Sequence, residues 1–128
     1  MTGIEAKFRN LATEYPNRGK CLEAARKFVD LMENEVDKVL IINLWASREN
    51  KFEVEAWPFH AVVVGHDGRR WFAGAPGSGD LHLAGELREL LSLLAVEFGG
   101  LWPREAEIER AMAGGEKELA IYPEDWVC

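Results

Sequence analysis

Apolar residues recur along this chain with two periods, and the change of period marks out its elements. Ile4, Phe8 and Leu11 step by four and three, which predicts a short first helix stopped by Pro16 and the "PNRG" cluster. Leu22, Ala25, Val29, Met32 and Val36 continue the same spacing and place one apolar face on a second helix that begins at Cys21. "KVLIINLWA" over 38–46 is a nearly unbroken apolar run with β-branched Val39, Ile41 and Ile42, the pattern of a central strand covered on both faces. "KFEVEAW" alternates Phe52, Val54 and Ala56 with charge, as a half-buried strand does, and Pro58 ends or bends it.

In "FHAVVVGHDGRRWFAG" two strand-like runs meet at Asp67-Gly68, a dipeptide favoured in two-residue hairpin turns. Pairing His66 with Arg69 and counting outward sets His60 opposite Ala75, with Trp71 and Ala73 on the same side of the sheet. From "GDLHLAGELRELLSLLAVEFGG", Leu83, Leu87, Leu90, Leu94 and Phe98 predict a helix with Asp80 as N-cap and Gly99-Gly100 as its end. Pro103 opens a further helix through Met112, and "KELAIY" supplies a late edge strand. Helices, then strands, then helices read as α+β: N-terminal helices packed on an antiparallel sheet, with additional C-terminal helices.

Residues 1–128 form one domain on this reading, since 48% hydrophobic residues suffice for a core at that length and no linker-like tract divides it. The formal charge of -7 opposes the phosphate contacts that dominate nucleic-acid affinity, so nucleic acid is not expected as a partner. No apolar run approaches the ~18 residues of a membrane span and MTGIEAKF has no signal-peptide pattern. The expected setting is the cytoplasm, with Cys21 and Cys128 as free thiols. Metal-ligand spacings and a phosphate loop with its lysine are both missing, so no metal or other cofactor is expected, and "GAPGSG" reads as a connector.

Cys21 carries the chemistry that the composition leaves open. A thiol attacks as its thiolate, and the N–H groups of a helix N-terminus stabilise that anion while Gly19 lets the chain turn close to a substrate. The other reading is a buried cysteine on the apolar stripe with Ala25, Phe28 and Met32. His60 is a polar imidazole opening an otherwise apolar strand, suited to take the thiol's proton and return it to a leaving amine, or else a hydrogen-bonded core histidine. Asn17 is a candidate oxyanion donor or simply a turn former. His66 and His82 read as solvated positions, and the five tryptophans as core area or as a groove lining.

"GKCLEAA" followed by "FHAVVVGHDGRRW" resembles the papain-like cysteine hydrolases, in particular the small papain-fold domains of bacterial toxins and effectors. The resemblance covers about residues 17 to 74. It implies a papain-like fold and thiol-dependent hydrolysis of an amide in a protein or peptide, by peptide cleavage or side-chain deamidation, with Cys21 as nucleophile and His60 as general base. The family usually places an Asp, Asn or Gln on the strand after the histidine, and here none stands there. Asp80 or Ser78 reaching back, a backbone carbonyl, or an empty third role remain open. The alternative function is a non-enzymatic immunity-type or adaptor protein whose acidic surface masks a protein partner.

Overall fold

The computed structural model describes residues 3–14, 21–49, 54–76, 80–98 and 103–121. The elements run α1 (Gly3–Glu14), α2 (Cys21–Met32), β1 (Lys38–Glu49), β2 (Val54–His66), β3 (Trp71–Ala75), β4 (Asp80–Ala84), α3 (Leu87–Phe98), α4 (Glu105–Ala113) and β5 (Glu118–Ile121). The fold is α+β. The strands form one sheet in the order β4-β3-β2-β1-β5, antiparallel throughout except that β5 lies parallel to β1.

Strand alternation divides the core into two layers. Ile41, Ala61, Val63 and Phe72 face α1 and α2, where Phe8, Phe28 and Met32 are buried against them. Leu40, Ile42, Val62, Val64 and Ala73 face the other way, onto Leu90 and Leu94 of α3 and Ile108 of α4. The C-terminal helices therefore cover the second face of the sheet. This explains why β1 and the end of β2 are apolar at successive positions: each faces a helix on both sides.

Two local expectations give way, and a third is narrowed to one of its alternatives. Asp80 is not a helix cap; it opens β4 opposite Ala75, and α3 starts only at Leu87. The run Asp80–Ala84 obeys period two, with Leu81 and Leu83 packed toward α1 and α2 and Ala84 toward α3, and the four-residue gap from Leu83 to Leu87 imitates a helical step. The β2–β3 connection is not a two-residue turn, because His66 pairs with Trp71 and leaves residues 67–70 as the loop. A two-residue turn of the expected kind needs positive φ at both central residues, whereas only Gly68 has it, at 99°. Asp67 instead accepts the N–H groups of Arg69 and Arg70 at 2.8 Å each and closes a wider turn. Of the two roles open to Pro58, it bends the strand and does not end it. β2 runs through it, and the register against β1 slips between Leu44 and Trp45 so that Phe59 is extra, a bulge of the sort that accommodates a proline.

A candidate thiol site

Cys21 is the first residue of α2, as the sequence predicts. The helix leads through residues 33–37 straight into β1, and the Val36 N–H bonds to Met32 O at 3.1 Å. This tight return lays α2 antiparallel to β1, with the end of the helix near Lys38 and His66. Its earlier turns lie toward Asn43, since Arg26 and Asn43 both donate to Glu118. Position 60 pairs with Leu44, and β5 also ends at that level, with Ile121 opposite Leu44. Position 60 thus lies midway along the β1–β2 ladder, which continues five pairs beyond it to Glu49 and Val54.

The β2–β3 ladder spans only Val63–Gly74 to His66–Trp71. Position 60 is therefore not set against Ala75, as the two-residue turn implied, but lies beyond the ladder, next to the bulge. Its parity is that of Val62 and Val64, which pack against α3 and α4, while Ala61 and Val63 face α2. Asp80 shares that parity on β4, separated from β2 by the whole of β3. The side chains of Cys21, His60 and Asp80 lie outside the described residues, as do Asn17, Ser78 and Cys128 altogether.

One polar cluster in this region escapes a reading of motifs. Asn43, on the α2 face of β1 and paired with Ala61, is 8% exposed, a lone polar group in a buried apolar strand. Its Nδ2 donates to Glu118 Oε1 at 3.3 Å, and Arg26 of α2 grips the same carboxylate through Nε at 3.1 Å and Nη2 at 3.2 Å. Asn43 Oδ1 is buried without a hydrogen-bond partner among the described residues. The network ties α2 to the edge strand β5 across β1. The signal was in view: an asparagine inside "KVLIINLWA" is the one polar residue between Lys38 and Ala46.

The other histidines are not plain solvated positions. His66 is 21% exposed and packs its ring against Trp71, centroids 5.1 Å apart. His82 sits in β4 opposite Ala73 and is half-buried. Asp67 is held below the usual carboxylate range, chiefly by the Arg70 backbone N–H, with smaller help from Arg69 N–H and the Arg70 charge, against some opposing desolvation. Lys117 is raised by its hydrogen bond and charge pairing with Glu33. Trp71 is half-buried beside the α3 core, which favours the core reading for that tryptophan. Among the described residues no group of His, Cys, Asp or Glu is arranged to hold a metal ion, and no helix is long and apolar enough to cross a membrane.

No family model, curated protein or solved structure matches this chain. The site has only its own residues and backbone to speak for it.

Proposed function

We propose that the chain is a papain-like, cysteine-dependent amide hydrolase acting on a protein or peptide, with Cys21 as nucleophile and His60 as general base. The observation that carries this reading is Cys21 at the first residue of α2, a helix packed on β2, the strand that holds position 60. The bulge beside position 60 adds to it, because bulges re-aim side chains and recur next to active sites. In the reaction His60 takes the thiol proton, and the sulfur bonds to the amide carbon. The free N–H groups of the first turn of α2 stabilise the resulting oxyanion. Collapse breaks the C–N bond while the imidazolium protonates the departing amine; water, activated by His60, then releases the acid and restores the thiol.

Strand alternation favours a second reading. If the bulge leaves the His60 ring on the side that its parity gives it, the sheet stands between imidazole and sulfur. The chain is then a non-enzymatic binding module whose acidic surface masks a basic protein partner. Iodoacetamide labelling at neutral pH, read by peptide mass spectrometry, separates the two. The hydrolase reading expects Cys21 to react at least about tenfold faster than Cys128, which serves as an internal free-thiol reference, and to lose that advantage in His60→Ala. Equal rates for the two cysteines, or a Cys21 rate indifferent to His60, would select the binding module.

A further inference from the structure

We propose that His66 is a pH-operated latch that holds the β2–β3 turn when neutral and the α2–β1 link when protonated. The proposal is independent of the chemistry at Cys21. Its basis is that one nitrogen faces two partners it cannot serve together. His66 Nδ1 lies 3.1 Å from the Gly68 N–H and 3.4 Å from Asp37 Oδ2. A neutral ring with its lone pair on Nδ1 accepts from Gly68, and the Asp37 carboxylate then faces that lone pair with no proton between them. An imidazolium carries a proton on Nδ1, donates it to Asp37 as a charge-assisted bond, and leaves the Gly68 N–H without its acceptor.

The surroundings let this choice move something. Asp37 is already joined to the end of β2 by its backbone N–H, 2.8 Å from His66 O, so the ring needs only a small swing. Gly68 is at φ 99°, and no atom lies within 4 Å of where a Cβ on it would stand, so no side-chain packing holds it once that bond is released. Its turn, with Asp67 and Arg69, walls a groove of about 510 Å³ floored by Ile4, Met32 and Val36. Protonation would thus loosen one wall of that groove. The charged groups around the ring are Asp37 from the link, Lys38 directly across the ladder, and Asp67 with Arg69 and Arg70 in the turn. Lys38 Nζ stands 5.8 Å from the Trp71 ring centroid, and the Asp67 carboxylate is committed to the Arg69 and Arg70 amides.

The test uses the full ¹⁵N-labelled chain between about pH 5 and 8, the range in which histidine ordinarily changes charge. Ring ¹⁵N shifts follow His66, and hydrogen exchange corrected for its intrinsic pH dependence follows the turn. The latch requires the neutral ring to carry its proton on Nε2. It also requires Gly68 exchange to speed up about fivefold as the ring protonates, the worth of one ordinary hydrogen bond. Arg69 and Arg70, held by Asp67, should show no such step, and His66→Gln should abolish the step at Gly68. A neutral ring protonated on Nδ1, a Gly68 rate that ignores the ring's titration, or a step that persists in His66→Gln would overturn it.

Discussion

Replacing Gly65 by alanine tests the packing that seats α2 on the sheet. Gly65 lies on the α2 face of β2, between Val39 of β1 and Phe72 of β3. A Cβ there would stand 2.4 Å from Lys38 O and 2.5 Å and 2.8 Å from two ring carbons of Phe72. Neither obstacle can yield cheaply. The carbonyl belongs to the β1 backbone, and Phe72 is fully buried, edge-on to Phe28 of α2 at 5.9 Å, which is in turn edge-on to Phe8 of α1 at 4.9 Å. Overpacking of one methyl costs about 1–3 kcal/mol, and with a backbone atom in the way the cost should reach about 3 kcal/mol. Urea unfolding followed by tryptophan fluorescence should then show a midpoint lower by about 1–2 M at an unchanged slope. In a Phe72→Leu background the ring clash is gone and the carbonyl clash stays, so the penalty for Gly65→Ala should shrink by about 1 kcal/mol without vanishing. A Gly65→Ala protein within about 0.5 kcal/mol of wild type would refute the reasoning. Because Phe28 carries α2 on Phe72, the same substitution should also change the alkylation rate of Cys21.

Two further outcomes follow from the turn and the buried amide. Asp67→Ala should cost about 1–2 kcal/mol by stranding the Arg69 and Arg70 N–H groups, and Asp67→Asn less, since it keeps the acceptor and loses the charge. The folded carboxyl titrates below its unfolded value, so its contribution is complete above the unfolded pKa and is lost as pH falls through the folded one; the gap between wild type and Asp67→Asn in chemical unfolding should close below about pH 4. Asn43→Leu removes a buried oxygen that has no partner among the described residues along with one bond to the half-exposed Glu118, and thermal unfolding should place it within about 1 kcal/mol of wild type. A loss above about 2 kcal/mol would show that the Arg26–Glu118–Asn43 network holds more of the fold than its geometry implies.

The architecture was legible wherever an element is long or its burial two-sided. α1 and the first two-thirds of the sheet follow from spacing alone, because Ile4, Phe8 and Leu11 are all buried and β1 does face a helix on each side. Short and irregular features were not. Five residues of alternation in β4 carry less signal than a leucine that happens to fall one helical step before Leu87. Asp67-Gly68 looks the same in a two-residue turn and in the four-residue turn that the Asp67 side chain builds. The parallel docking of β5 on β1, and the choice of α3 and α4 as the cover of the second face, depend on contacts between distant segments that no local pattern records. At the site, the sequence could supply Cys21 at a helix start. It could not supply the side of the sheet on which position 60 falls, because that depends on a bulge at Phe59 and a register set by the turn.

The central claim is that the Cys21 sulfur is ionised beside an imidazole at neutral pH. Thiolate ultraviolet absorbance of a Cys128→Ser chain, titrated with and without His60→Ala, tests it most directly. The hydrolase account predicts that Cys21 ionises well below the ordinary thiol pKa of about 8.5 and moves back toward it when His60 is removed. A thiol that titrates at or above that value in both proteins would contradict the account.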